Sequence, residues 1–250
     1  MVRIFRVKAR LHMQSDRLTA ARREIYGEFM TDFQKVQAVI GSMTKEDFNP
    51  ADALVLSNMS ASVNKLWIWG EVDAAYAARE FYSQVNEFYF EALARALAIH
   101  KTRGLIAKVK ENEANYVDEF NRLNQELRVH RNTPESARDQ EWQRKATLLD
   151  REQIQAMNDQ ASQQRTWSGM VFSVNIKLDE YIDFIIGRQT ALMNQINIVM
   201  SLARAGVGLD GDVEKLNQQS REMSARATAA LKNLKAVLER EMEAIQQLCR

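Results

Sequence analysis

The sequence has little of the residues that most often interrupt helices or cross-link chains. Its 250 residues include 9 glycines, 2 prolines and a single cysteine, Cys249. So few breakers leave little turn-forming sequence for the loops of an all-β or α/β fold. One cysteine excludes a disulfide framework and a zinc site built on cysteines, and it fits a reducing compartment. The composition therefore predicts an all-α protein with long helices.

A charge excess and a long apolar run are missing as well. Lys and Arg number 34 and Asp and Glu 33, a net charge of +1. The chain therefore has no global field that would attract nucleic acid, and we expect no nucleic-acid partner. Its longest uncharged run, Gln189 to Ala203, is 15 residues long. A membrane span needs about 20 mostly apolar residues, so we expect no span.

Apolar residues recur at helical spacing from Leu18 to Ile40, which predicts a first helix. Ser15 or Asp16 is expected to cap its start, and Gly41 to end it. The start of the next helix is marked by the sequence Asn-Pro-Ala-Asp at 49–52, and a break is expected at Gly70. Eight of the 20 aromatic residues lie in the stretch 67–90. We interpret this stretch as core, packed on several sides, in preference to a ligand pocket.

A polar helical hairpin is predicted over 104–165, where the apolar stripe narrows. Its outgoing arm has a heptad pattern, and Glu113 occupies one of the apolar positions. A turn followed by a capped helix start is expected at 132–135. The return arm carries Trp142, Leu149 and Ala156 at intervals of seven, with Gln163 next, which indicates a weak seam. The residues of the outgoing pattern are Ile106, Val109, Tyr116, Phe120, Leu123 and Leu127.

The apolar pattern recovers at Trp167 and predicts a helix that ends near Gly206. Arg188 lies on the stripe of this helix, where it is expected either to extend to a bundle end or to pair with an acid such as Asp183 or Glu180. A loop over 206–211 and a last helix from about Asp212 follow. The last helix ends in a strong stripe made of Leu231, Leu234, Leu238, Ile245 and Leu248.

No residue pattern indicates catalysis, a metal or a cofactor. The three histidines have no acid three residues before them, as a di-metal site in a bundle requires, and we interpret them as solvated or capping. The spacing of Gly206, Gly208 and Gly211 matches a dinucleotide loop in letters, but a helix precedes it where a strand is needed. We therefore expect a non-enzyme without cofactors. An enzyme whose site is assembled from distant side chains stays open but has no support from a motif.

The first 14 residues carry Arg3, Arg6, Lys8 and Arg10 and no acid, with apolar residues between them. This pattern fits contact with anionic lipid headgroups, at about 1 kcal/mol per basic residue. The alternative is a fraying tail. The segment lacks the apolar run and cleavage site of a signal peptide.

Two short motifs resemble a module found in uncharacterised bacterial helical proteins. The first is the helix pattern of Arg22, Tyr26 and Phe29, and the second begins at Leu66 and contains Trp69, Gly70 and Glu71. The resemblance covers about residues 15–100. It implies a bacterial helical protein that faces the cytoplasm near a membrane, often with an N-terminal anchor, and it implies no activity.

The sequence thus predicts an elongated all-α bundle built from 15–103 and 166–250, with a coiled-coil hairpin at 104–165 and a basic segment at 1–14. We expect a non-enzymatic scaffold at the cytoplasmic face of a bacterial membrane. Its partner would be a second copy or another protein, bound through coiled-coil contacts. The alternative is a lipid-binding or pore-forming protein that inserts stretches 167–176 and 189–203 after a conformational change.

Overall fold

The computed structural model describes residues 2–49 and 54–209, and 214–230 apart from 216, 224, 227 and 228. Every regular element in these ranges is helical, so the all-α prediction is confirmed. Four long helices follow one another: α1 is Val2–Ser42, α2 is Leu54–Trp69, α3 is Val72–Arg131 and α4 is Gln140–Gly206. A short 3-10 turn, Glu135–Ala137, precedes α4.

The chain forms two compact units. The first comprises Met1–Ala94 and Tyr181–Arg250, and the second comprises Arg95–Glu180. Both α3 and α4 contribute residues to each unit. The boundaries at 104 and 165 that composition indicates for the hairpin stay a prediction.

The first unit is an antiparallel four-helix bundle, as the pairs between its helices show. α1 pairs with α2 through Asp32 and Ser62, and α2 pairs with α3 through a hydrogen bond from the Tyr82 hydroxyl to the Leu56 carbonyl (3.3 Å). α3 pairs with α4 through an ion pair and through the rings of Phe88 and Phe184, whose centroids are 5.6 Å apart. α4 closes the bundle on α1. Helices that are neighbours in sequence are therefore neighbours in space.

The bundle core contains the predicted apolar stripes. On α1, Phe29 and Phe33 are buried, and both rings pack edge-on against Phe81 of α3. On α4, the predicted stripe includes Tyr181, whose hydroxyl donates a 2.6 Å hydrogen bond to the Ile40 carbonyl. Leu18 is an exception, because it is exposed. The other buried positions of the two stripes are Val36, Ile40, Leu192 and Val199, and Val174, which belongs to the second unit.

The second unit is an antiparallel pairing of α3 with α4. Leu123 and Leu127 of α3 form one buried cluster with Leu149 and Ala156 of α4, and Phe120 packs against it. The heptad spacing predicted for both arms is thus confirmed as the packing seam. The seam is also polar, as the sequence indicates, because half-buried positions include Glu113 and Gln163.

Two helix starts, those of α1 and α4, differ from the sequence predictions. α1 continues through Ser15 and Asp16 to Val2, so neither residue caps its start. Gly104 does not interrupt α3. α4 begins at Gln140, later than predicted, because 135–137 forms the 3-10 turn and the Asp139 carboxylate accepts a 2.7 Å hydrogen bond from the Trp142 amide. That contact is an N-cap.

Two predicted helix ends are confirmed. α2 ends at Trp69 and α3 begins at Val72, so the helix is interrupted at Gly70, as predicted. α4 ends at Gly206, and Gly208 follows with a φ of 73°. The amide of Leu209 then donates to the Arg204 carbonyl, and that of Gly208 to the Ala205 carbonyl, which is the Schellman pattern.

Other predicted features lie outside the described residues. These are most of the helix start at 49–52, the loop residues 210 and 211, and the apolar stripe from Leu231 to Leu248. The side chains of residues 2–12 also lie outside the described part of the chain.

Candidate functional site

The predicted surface-contact residues Arg3, Arg6, Lys8 and Arg10 belong to one continuous helix with the bundle, since the backbone of α1 is helical from Val2. Residues 13–18 follow them, and all six are exposed, including Met13 and Leu18. Exposure on every face of a helix means that this stretch packs against no other described element of the bundle. The basic segment, residues 1–14, therefore extends from an exposed part of α1.

The bundle end from which this segment emerges is defined by a polar clasp, formed by Arg22, Tyr26 and Glu71 with two backbone carbonyls. Arg22 forms an ion pair with Glu71 and donates from Nε to the Trp69 carbonyl at 2.9 Å. It also donates to the Gly206 carbonyl at 3.5 Å. Arg22 thereby satisfies carbonyls at the C-terminal ends of α2 and α4, where a cation also favours the helix dipole.

Tyr26 completes the clasp one helical turn later. Its hydroxyl accepts a 3.5 Å hydrogen bond from the Glu71 amide, and burial raises its pKa. A Cβ built at Gly206 would lie 2.6 Å from Cγ of Glu71, so only glycine fits there without displacement. The two motifs at Arg22–Phe29 and Trp69–Glu71, about 45 residues apart in sequence, meet at this clasp.

Next to the clasp, the break between α2 and α3 exposes an apolar surface, which we call the aromatic corner: Trp67, Ile68, Trp69, Val72 and Tyr76. All five are more than 40% exposed, with Ile68 at 69% and Tyr76 at 61%. The Trp67 and Tyr76 rings pack edge-on at 5.1 Å between centroids. The prediction that the aromatic stretch is core is wrong for Trp67, Trp69 and Tyr76, and also for Phe90, which is 59% exposed.

Helical periodicity explains the division. Phe81, Phe88 and Tyr89 face the bundle and are buried. Trp67 faces outwards, and the Arg79 guanidinium covers it at 4.1 Å from the ring centroid. Because aromatic residues occupy several helix faces here, sequence alone does not show which face the neighbouring helices cover.

A polar groove lies between α1 and α2, where Asp32 meets two basic residues and Ser62. The Ser62 hydroxyl donates to Asp32, and Lys35 donates to it at 2.9 Å. Burial opposes ionisation of Asp32, but these hydrogen bonds outweigh it and hold its pKa below the usual value. Lys65 pairs with Glu28 across the groove at 2.6 Å. The charges are matched within the groove, which is a helix contact and not a binding site.

At the turn of the hairpin, His130 and Trp142 form a reciprocal lock. Nε2 of His130 donates to the Trp142 carbonyl at 2.8 Å, and Nε1 of Trp142 donates to the His130 carbonyl at 3.0 Å. The rings stack with centroids 4.7 Å apart, and Arg138 lies over Trp142. Sequence analysis missed this role of His130. The only indication of it in the sequence is that His130 and Trp142, two residues with ring side chains, lie on either side of the turn.

Arg188 pairs with Glu91 of α3 at 2.7 Å, and not with Asp183 or Glu180. An acid on the neighbouring helix is within reach because α3 and α4 are antiparallel at this point. The pair is half exposed, so it contributes little to stability.

Among the described residues, no three His, Cys, Asp or Glu side chains are placed to hold a metal ion. Nor does any helix in that part of the chain have the length and apolar character to cross a membrane. No family model, curated protein or solved structure matches this chain. Its function must therefore be argued from its own residues.

Proposed function

We propose that this chain is a non-enzymatic helical interaction protein that binds the anionic cytoplasmic face of a bacterial membrane. The observation that carries the proposal is the continuity of α1 through its basic start, from Val2 to Ser42. A helix gives the basic segment a fixed periodicity, which a fraying tail would not have.

That periodicity separates basic from apolar positions. Arg3, Arg6 and Arg10 recur at steps of three and four, so they occupy one helix face. Ile4, Val7 and Leu11 recur at the same steps and occupy the adjacent face. Lys8 falls on the other side of that apolar face. An apolar stripe flanked by cations is the pattern of a helix that lies in a membrane interface.

The hairpin is the part of the chain that we propose to bind protein. Its outer surface carries charged residues such as Arg122, which pairs with Glu119 and Glu126. Exposed apolar residues lie among them, including Val129 and Leu148. The partner is a second copy or another helical protein. A strictly monomeric mass at high protein concentration would contradict the homo-oligomer.

Cosedimentation with vesicles tests the membrane proposal. We expect the chain to sediment with vesicles that contain phosphatidylglycerol and not with pure phosphatidylcholine vesicles. The variant R3A/R6A/K8A/R10A should lose about 4 kcal/mol of binding at most, at about 1 kcal/mol per basic residue near the surface.

A matched variant removes four cations elsewhere. Lys108, Lys110, Arg144 and Lys145 are exposed on the hairpin, so K108A/K110A/R144A/K145A changes net charge equally. It should bind as the unmodified chain does. Equal loss in both variants would show that net charge and not the basic segment is responsible, and no binding by any chain would refute the membrane role.

The insertion alternative makes a different prediction for the same vesicles. Pore formation would release an entrapped dye, whereas surface binding leaves it enclosed. Sedimentation with dye release would contradict the scaffold proposal in favour of insertion.

A further inference from the structure

We propose that the aromatic corner is a second lipid contact, which enters the bilayer interface next to the basic segment. This inference rests on the membrane role proposed above, and it adds a site that basic residues alone do not provide. The ligand is the lipid interface itself, between headgroups and acyl chains.

The first argument is position. α1 and α2 run antiparallel, with Asp32 next to Ser62, Glu28 paired with Lys65 and Arg22 bonded to the Trp69 carbonyl. This register places the break between α2 and α3 level with Arg22. Residues 2–21 of α1 therefore continue beyond the corner for about 30 Å, at ~1.5 Å per residue. The basic segment and the aromatic corner thus belong to the same end of the bundle.

The second argument is composition. Two tryptophans, a tyrosine, an isoleucine and a valine lie within the ten residues 67–76 around the break, and each is at least 42% exposed; the rings of Trp67 and Tyr76 are in contact. Trp and Tyr are the residues enriched at membrane interfaces, because an apolar ring carries a polar group that stays in contact with water or headgroups. Large apolar side chains exposed at such density are typical of a contact site.

Charge at the corner is mixed. Glu71, next to Val72, is neutralised by Arg22 in the clasp, whereas Asp73 and Glu80, close to Val72 and Tyr76 in α3, are exposed. Arg79 lies over the outer face of this surface against Trp67. Its guanidinium is a further cation for a lipid phosphate at the rim of the apolar surface. Because a cation and carboxylates occur together here, attraction of the corner to the interface depends on its apolar side chains and not on net charge.

The position of the tryptophans makes a direct test available. The chain has four, two in the corner and two in the second unit, at 142 and 167. In W142F/W167F only the corner tryptophans report, and in W67F/W69F only those of the second unit do. Lipids brominated on the acyl chain quench tryptophan fluorescence by contact, so each full-length variant reports the depth of its own pair.

The vesicles should bind the chain independently of the basic segment, so that the two proposals are tested apart. A histidine tag added before Met1 would attach each variant to vesicles with nickel-chelating lipids. We expect strong quenching and a blue shift of emission in W142F/W167F, and loss of most of that quenching in W67F/W69F. Unquenched corner tryptophans on attached protein would overturn the inference, even where the untagged chain binds anionic vesicles.

A second copy is the competing occupant of the corner. Without lipid, the unmodified chain and W67S/W69S should have the same mass by sedimentation. A dimer that is lost in W67S/W69S would overturn the lipid assignment, because the same surface would then be covered by protein. Circular dichroism checks that each variant is folded. Trp67 and Trp69 are exposed, whereas Trp142 and Trp167 are half-buried and W142F also removes one hydrogen bond of the lock with His130.

Discussion

Arg22 joins three segments that are far apart in the sequence. It bonds to Trp69 at the end of α2, to Glu71 just before α3 and to Gly206 at the end of α4. Gly206 is 184 positions away in the sequence. Its side chain is only 18% exposed, so these bonds compete little with water. The planar guanidinium suits this position, because it directs several N–H groups in fixed directions.

Replacement of Arg22 by alanine should therefore destabilise the bundle. We expect R22A to lower the free energy of unfolding by about 1–3 kcal/mol, since it leaves helix-end carbonyls without a donor. R22K should recover only part of the lost free energy of unfolding, because an ammonium group lacks the several N–H donors that a guanidinium holds in one plane. The neighbouring R23A removes an exposed charge and is the control; equal effects of R22A and R23A in urea unfolding would contradict the clasp.

Tyr181 makes stability depend on alkaline pH. Burial raises its pKa to about 12, from 10.0. A phenol whose pKa is raised on folding stabilises the fold fully below about pH 10, and this contribution is lost as pH rises through about 12. Urea unfolding of Y181F should show a loss of about 1 kcal/mol at neutral pH from the missing bond to Ile40. It should also show a smaller decline above about pH 10; an unchanged decline would refute this role.

At the scale of elements, glycine acts differently at the predicted break, Gly70, and at Gly104, where the predicted hairpin starts. At Gly70 a Cβ would lie 2.5 Å from the Leu66 carbonyl oxygen, a contact that requires the chain to move. At Gly104 nothing lies within 4 Å of a built Cβ, and the residue is inside a helix. The same residue type is thus required at one position and dispensable at the other.

Alanine at these two glycines should change stability in opposite directions. G104A should raise the free energy of unfolding by about 0.5–1 kcal/mol, because glycine is the poorer helix former. G70A should lower it by about 1 kcal/mol or more, because the native conformation does not accommodate a Cβ. Thermal unfolding by circular dichroism compares the two; a stabilised G70A would contradict the observed break.

The hairpin seam offers a comparison between adjacent leucines. Leu149 is buried in the cluster with Leu123 and Leu127, whereas Leu148 is 55% exposed. L149A should lower the free energy of unfolding by about 2–5 kcal/mol, through lost burial and a cavity. L148A should stay within about 0.5 kcal/mol of the unmodified chain. Similar losses in the two variants would show that the seam register is wrong.

The seam was predictable because a heptad is a local repeat, and Leu123, Leu127, Leu149 and Ala156 all follow it. The start of α4 was not. Sequence signals around Pro134 favour a helix there, but the lock between His130 and Trp142 joins the two arms across the turn. The chain between His130 and Trp142 must connect the two arms at the spacing that the lock sets. It therefore forms a 3-10 turn at 135–137, and α4 starts only after the Asp139 cap.

At the scale of the whole molecule, the proposed membrane attachment depends on salt. The four cations of the basic segment attract an anionic surface over a Debye length of about 10 Å at 0.1 M salt and about 3 Å at 1 M. Binding of the unmodified chain to anionic vesicles should therefore weaken steeply over this range. Binding that does not change with salt would contradict attachment through Arg3, Arg6, Lys8 and Arg10.

The candidate site could be predicted only in part. Its basic residues are visible in the sequence, because a run of cations without acids needs no partner to be recognised. The two motifs contain Arg22, Tyr26 and Glu71, but they do not show that these residues meet. Two bonds of Arg22 go to the backbone carbonyls of Trp69 and Gly206, and carbonyls carry no sequence signal. The exposure of Trp67 and Trp69 was missed because the helix has apolar residues on several faces.

The sequence by itself determined the all-α class, the break at Gly70, the end of α4 and the spacing of the hairpin seam. Each depends on local properties: few breakers, a glycine where the chain turns, and an apolar repeat that matches the helix period. Only the tertiary structure decided that Glu91 is the partner of Arg188, that Arg22 joins three helix ends, and that the aromatic stretch is divided between core and surface. These outcomes depend on which helices become neighbours, and periodicity within one helix does not specify its neighbours.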